Sequence, residues 1–310
     1  MKTTFPKAHR KAAYEVEFVP GLAGAGRYFI AGKRTKRVTT VLDKFPESGE
    51  GLLRWTRTRV AITMDRLLRD RVVKHPQTGT EFCYFRAEEI PGLVELARKN
   101  PDDIKCQTAE VGTAVHAFCE EWLLAGATKK ARKKIFVNYM LPENVDVFKM
   151  LHEQTETKEM SDADRHLFYD KMKSYMFNCF CTFWLGAGLK YVGSEIPVGS
   201  LKYGFAGRLD ILAKDKQGRL ILIDLKTSKW IGPAMFAQVA AYKLGYEEMY
   251  GKKIHKCAIV QMPREWTDTN LGFGVYNVKT WRYRLIFLSL LRYWKDTEFS
   301  AADCRKECLI

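Results

Sequence analysis

Gly207-Arg208-Leu209-Asp210, Lys214-Asp215-Lys216-Gln217-Gly218 and Asp224-Leu225-Lys226 form the stretch that decides the fold of this chain. Phe205–Leu212 and Leu220–Leu225 are rich in branched and aromatic residues, the pattern of strands. The polar segment between them has the composition of a turn, so the two runs read as an antiparallel hairpin. Asp210 closes one strand motif and Asp224 lies near the end of its neighbour, so the hairpin brings the two within reach of one ion. Lys226 is two residues beyond Asp224, and on a strand such side chains face the same side. A charged pair ending a run as apolar as Leu220-Ile221-Leu222-Ile223 belongs at a site or in a tight ion pair.

Outward from the hairpin, Tyr191–Val198 reads as a further strand, 233–250 as a helix, Ile254–Met262 and Phe273–Val278 as strands and 279–295 as a basic, aromatic helix. Upstream the texture is helical. A helix over 51–73 repeats Arg54, Arg57, Arg66 and Arg69 at helical spacing. A short helix over 87–99 is expected to stop at Asn100-Pro101. The segment 109–125 reads as a helix closed by Gly126, 127–160 as charged and helical in pieces, and 162–187 as a long aromatic helix. Val38-Thr39-Thr40-Val41-Leu42 reads as a helix start with a threonine cap. The order predicts an α/β (α+β) fold, a mixed central sheet flanked by helices. Two domains are expected: a basic, largely helical region over 1–108 and a core over 109–310.

Composition narrows the partner. The 310 residues carry a formal charge of +15. Residues 1–75 hold 17 lysines and arginines against 7 acidic residues, so +10 of that charge lies there. Such a balance favours a polyanion, because cations beside phosphates release condensed counterions. Lys33, Arg34, Lys36, Arg37 and the run Lys129–Lys134 are the densest clusters; each alone is also compatible with a solvated face. The eight cysteines show no secreted framework and no Cys-x-x-Cys pair, which argues for a reducing compartment and against a zinc site. No apolar run is long enough to span a bilayer, and no signal-peptide core is present. The expected location is cytoplasmic. The acid-free residues 1–14 leave a mitochondrial address as the lesser alternative.

Several further side chains have the chemistry of a site. Asp210 and Asp224 offer the oxygens that Mg²⁺ prefers, and the Leu225 carbonyl offers a third. Lys226 suits either helping to deprotonate a water or stabilising a negative phosphate. His116 lies in an apolar helix, where a core role and a metal role are both open, with Glu120 on the same face. Gln238 and Tyr242 share a helical face and suit either packing or a polar grip on substrate. Glu195 is open among a ligand, a partner of a ligand and a structural residue. Trp55, Trp230 and Tyr203 suit base stacking or core packing equally.

Taken together and in order, these motifs resemble the PD-(D/E)XK nuclease superfamily, and within it the RecB-like exonuclease branch. Gly112-Thr113-x-x-His116 resembles that branch's Gly-x-x-x-His motif, and Gly207-x-x-Asp210 its Gly-x-x-Asp. Asp224-x-Lys226 resembles its Asp/Glu-x-Lys signature, and Gln238-x-x-x-Tyr242 its Gln-x-x-x-Tyr. Residues 38–42 are similar to a short segment of phage members. The likeness covers residues 109–260 well and 38–108 loosely. It implies a restriction-endonuclease-like fold and His116, Asp210 and Asp224 as ligands of Mg²⁺ or Mn²⁺. It further implies Lys226 as the catalytic lysine, with Gln238 and Tyr242 in support. The leading Pro-Asp dipeptide is absent, as is common in the branch. The cysteine pattern of its iron–sulfur relatives is also missing, so no cluster is expected. The implied activity is DNA exonuclease, in phage or bacterial replication, recombination or repair, with a replication or recombination protein as a possible partner. A flap or junction endonuclease and a catalytically silent DNA-binding scaffold are the alternatives.

Overall fold

The computed structural model describes residues 12–20, 26–43, 45–69, 71–74, 76–83, 87–126, 162–228, 230–262 and 273–296. The expectations for 127–160, including the run Lys129–Lys134, and for Cys304 and Cys308 lie outside the described residues. In chain order the elements are β1 (Val16–Val19), β2 (Arg27–Ile30), β3 (Lys33–Arg37), α1 (Val38–Leu42), α2 (Pro46–Arg69), β4 (Val72–Lys74), β5 (Glu81–Cys83) and α3 (Ile90–Leu124). Then follow α4 (Asp162–Ala187), β6 (Lys190–Ser200), β7 (Phe205–Lys214), β8 (Leu220–Lys226), α5 (Pro233–Tyr250), β9 (Lys256–Gln261), β10 (Gly274–Asn277) and α6 (Thr280–Asp296).

The chain forms two compact units, Met1–Phe45 with Ala114–Ile310, and Pro46–Thr113. The first contains the main sheet. Its order is β1-β2-β3-β7-β8-β9-β10, with β6 also on β7. The pairs β3/β7 and β8/β9 are parallel and the rest antiparallel, so the sheet is mixed as expected. Val16–Val19, Arg27–Ile30 and Lys33–Arg37, which the sequence grouped within the N-terminal region 1–108, are strands of this sheet. β6 runs along one edge of β7. β8 and β3 share the other edge, at Ile211–Lys214 and Phe205–Ala206 respectively, leaving Gly207–Asp210 unpaired there. The site occupies that opening.

β8 is buried at six consecutive residues, Leu220 to Leu225, which matches its unbroken apolar sequence and a strand covered on both faces. Against the sheet, Ile196, Val198, Leu209 and Leu222 pack with Tyr242 and Tyr246 of α5 and Phe287 of α6. Phe205 meets Phe287 edge-on at 5.0 Å. α5 lies close on β6 because a Cβ on Gly245 would stand 2.9 Å from the Gly199 nitrogen. α4 buries Met176, Phe177, Phe180 and Trp184, and meets α3 through Phe118–Phe177 and Trp122–Phe180 edge contacts.

In the second unit, α2 ends at Arg69 rather than at 73, because the β-branched Val72-Val73 pairs with Phe82 and Cys83 across a turn at 76–78. α3 does not stop at Pro101. A proline removes one backbone bond, and the helix retains buried positions on both sides of it, Leu93, Ala97, Val111 and Val115. α1 is capped by extended Arg37 without a side-chain bond, not by a threonine, since Thr39 and Thr40 lie inside it.

Candidate active site

The β7–β8 ladder ends at Ile211 opposite Ile223. One step further the Asp210 side chain takes over, its Oδ2 accepting a hydrogen bond of 2.8 Å from the Leu225 amide. This contact ties the Asp210 carboxylate to β8 just beyond the end of the ladder. His116, from α3, places Nδ1 3.8 Å from the same Asp210 oxygen. A third ligand type comes from β6. The pairs Ser194–Ile211 and Ile196–Leu209 put Glu195 opposite Asp210, and Glu195 adopts φ +50. A non-glycine residue in that region costs about 1–3 kcal/mol. His116, Glu195 and Asp210 each offer a ligand atom, all within 4.8 Å of one another.

Charge makes this cluster demanding. Burial pushes the Glu195 carboxyl above its usual range, and neighbouring Asp210 adds to the rise. Arg208, two residues before Asp210, opposes it with Nη1 3.3 Å from Glu195 Oε2. The Arg208 guanidinium also lies over the Phe18 ring at 5.4 Å. Glu120 is oriented rather than free: the Ser194 hydroxyl donates to it at 2.9 Å, and Tyr191 OH lies 2.7 Å from Ser194. His116, Glu120, Ser194, Glu195, Asp210 and Leu225 line one small cleft together with Ile211.

Asp224 is fully buried. Its Oδ2 is 2.6 Å from Lys226 Nζ, yet neither Asp224 oxygen has a well-aligned hydrogen bond among the described residues. Burial lifts its carboxyl to about 6; the Lys226 charge pulls it down and Asp210 pushes it up. For Lys226 burial works against the ammonium, but Asp224 and Asp210 outweigh it and its pKa is raised. Lys226 therefore holds its proton. His116, Glu195 and Asp210, whose ligand atoms lie together, form the oxygen-rich donor set that a hard divalent cation takes, and Asp224 is not part of that group.

Tyr242 is buried against β7. A Cβ on Gly207 would stand 2.6 Å from its ring, so only glycine leaves room for it. Burial raises the Tyr242 hydroxyl well above its normal value, with Asp224 and Asp210 adding to it, which places the ring near both acids. Its OH accepts a 2.8 Å bond from Gln238. Thus His116, Glu120, Glu195, Asp210, Asp224, Lys226, Gln238 and Tyr242 gather around one hairpin. Arg208, Ser194 and Tyr191 were not anticipated. Only the i, i+2 spacing of Arg208 to Asp210 pointed to it.

The basic residues fare differently. Lys33, Arg34 and Arg37 are exposed, whereas Lys36 sits 3.5 Å over the Trp294 ring. Arg57, Arg66 and Arg69 are exposed on α2, and Arg69 is paired to Asp65 at 2.8 Å. The side chains of Arg54 and Trp55 lie outside the described residues. Tyr203 is half-buried against the core, and Trp230 is 78% exposed. Among the described residues no helix is long and apolar enough to cross a membrane.

The hairpin of the mixed sheet thus carries the buried Asp224–Lys226 pair and, on β7 and its neighbours, the His116, Glu195 and Asp210 donors. The family model of the PD-(D/E)XK nuclease superfamily matches residues 83–309, and the chain belongs to that superfamily. Solved structures similar to part of the chain include that of SSO0001, at 12% identity, TM-score 0.27, covering 50% of this chain and 85% of that one. An alkaline exonuclease from Laribacter hongkongensis is similar at 12% identity, TM-score 0.24, covering 57% and 90%. No curated protein matches the sequence. The protein is thus of a nuclease superfamily whose members use divalent metal ions, and the donor set described above fits such an ion.

Proposed function

We propose that the protein is a Mg²⁺- or Mn²⁺-dependent DNA exonuclease acting in DNA replication, recombination or repair. The observation that supports it best is Asp224: fully buried, without an aligned hydrogen bond, and set between Lys226 and the Asp210 cluster. Such a carboxylate is costly, and Lys226 lies against one of its two oxygens. His116, Asp210, Asp224 and the Leu225 carbonyl would hold the ion, with Glu195 at its side. A bound divalent ion polarises the phosphate and makes water a competent nucleophile at neutral pH.

The chain's own residues do the rest. Lys226, kept protonated by two acids, stabilises the extra negative charge of the phosphate in the transition state rather than acting as a base. Asp210 is fixed by the Leu225 amide, Glu195 by Arg208, and Glu120 by Ser194. Tyr242 and Gln238 support the floor of the hairpin. Lys33, Arg34, Arg37, Arg57, Arg66 and Arg69 supply cations for the DNA backbone. The preference for free ends rests on the motif likeness to the RecB-like branch.

The test is cleavage of end-labelled linear single- and double-stranded DNA beside closed circles, with Mg²⁺ or Mn²⁺, for wild type and Lys226→Ala. Loss of linear DNA alone, abolished by the substitution, is expected. Cut circles would establish an endonuclease instead. Salt-sensitive binding without cleavage by the wild type would leave a silent DNA-binding protein.

A further inference from the structure

Two tryptophans stand out of the fold. Trp230 is 78% exposed and Trp281 is 70% exposed, more than any other large apolar residue described. Both belong to the same end of a helix pair. Phe236 in the first turn of α5 stacks on Tyr283 in the first turn of α6, at 5.1 Å and 29°. Trp230 precedes the first residue of α5 by three positions, a chain reach of about 10 Å. Trp281 is the second residue of α6.

The Trp230 backbone is held while its ring is not. The Ser228 hydroxyl donates to the Trp230 carbonyl at 2.8 Å, and Gln261 donates to the Ser228 carbonyl at 2.8 Å. Tyr276 OH in turn donates to Gln261 at 2.9 Å. Its indole is thus presented to solvent from an anchored backbone position.

The surroundings are basic. Lys279, Arg282 and Arg284 are exposed, and Leu285, one turn beyond Trp281, is 58% exposed. From Lys279 to Lys295 the sequence contains no carboxylate. The lysines and arginines between 279 and 295, with no carboxylate among them, give this face one sign of charge, which a polyanion complements. Polyanions with stackable faces answer both features, since base–aromatic stacking and backbone neutralisation are how single strands are held.

We infer that Trp230 and Trp281, with Lys279, Arg282 and Arg284, form a stacking platform for single-stranded DNA. The inference rests on the nuclease reading for its substrate. Trp230 lies four residues beyond Lys226, at most about 14 Å along the chain. At about 3.4 Å per stacked base, that is about four nucleotides from the catalytic lysine. Trp230 thus stands within about four nucleotides of the reaction, and the platform favours an unpaired strand, because bases inside a duplex have no free face to offer.

The experiment uses the full chain carrying Lys226→Ala, so that binding is read without cleavage. Anisotropy of a labelled oligothymidylate is compared with an abasic oligomer of equal length and with a duplex. Trp230→Ala and Trp281→Ala are each expected to weaken oligothymidylate binding about 5- to 150-fold. Abasic and duplex binding should be unchanged, and Trp→Phe should restore most of the loss. Arg282→Gln with Arg284→Gln should weaken both single strands and make the salt dependence shallower by about 0.7 for each phosphate left without its cation.

Unchanged oligothymidylate binding in both tryptophan variants, or equal losses on the abasic strand, would overturn the platform. So would a dependence on the arginines alone. Cleavage by wild type is scored separately: activity with tryptophan-independent binding sinks only this inference, and tryptophan-dependent binding without cleavage sinks only the nuclease reading.

Discussion

Asp224→Asn keeps the shape of the side chain and removes its charge, and its effect on stability follows from burial. An unfolded aspartate ionises near 3.8, whereas Asp224 in the fold holds its proton to about 6. Between these values the folded state binds more protons than the unfolded one, so stability falls as pH rises. Below 3.8 both states hold the proton and the pH-dependent penalty vanishes. Above 6 the whole penalty applies, about two pKa units, or about 3 kcal/mol at about 1.36 kcal/mol each. Urea unfolding of metal-free wild type and Asp224→Asn, followed by tryptophan fluorescence from about pH 4 to about pH 7.5, measures it. Trp122 and Trp184 are buried in this unit and report its unfolding. The difference between the two proteins cancels the self-repulsion of the +15 chain, which is common to both. That difference should shift against wild type by about 3 kcal/mol across the window, and Mn²⁺ at the upper end of the range should restore wild type but not the variant. A difference independent of pH would refute the argument that Lys226 only partly compensates the buried Asp224 charge.

Other outcomes follow from single contacts. Lys226→Ala should lower the cleavage rate about 100- to 1,000-fold, the scale for losing one group that stabilises transition-state charge. Steady-state kinetics would show this as a fall in kcat with KM little changed. Arg208→Met, which frees the Glu195 carboxylate, should weaken Mn²⁺ binding about 10- to 100-fold by calorimetry, the usual cost of losing a ligand's partner. Gly207→Ala should destabilise the protein by about 1–3 kcal/mol, because the new methyl would meet the buried Tyr242 ring at 2.6 Å and Val38 at 3.3 Å. A lower urea midpoint at unchanged slope would confirm it.

The hairpin at the centre of the fold was legible because local signals agreed. Two β-rich runs flank a polar turn, and in the structure Asp215 Oδ1 accepts the Gln217 and Arg219 amides there. The strand period then placed Asp224 and Lys226 on one side, and the helical period paired Gln238 with Tyr242, whose side chains do bond. The strands of residues 16–37 were not legible as part of the main sheet. β3 meets β7 at only two residue pairs, Lys36–Phe205 and Arg37–Ala206, far apart in sequence, and nothing local encodes that partner. Nor did Pro101 end its helix, because buried positions on both sides of it outweigh one lost backbone bond.

What the sequence by itself determined was which chemistry is present and in what order: the helix with His116, the strand with Asp210, the strand with Asp224 and Lys226. These depend on turns, periods and spacing, which act over a few residues. Only the tertiary structure decided how the groups act on one another. The left-handed backbone at Glu195 and its place opposite Asp210 arise from pairing between β6 and β7. The proton held by Lys226 and the cost carried by Asp224 arise from layers packed over β8, which remove water and so make distance and burial, rather than residue type, set the charge.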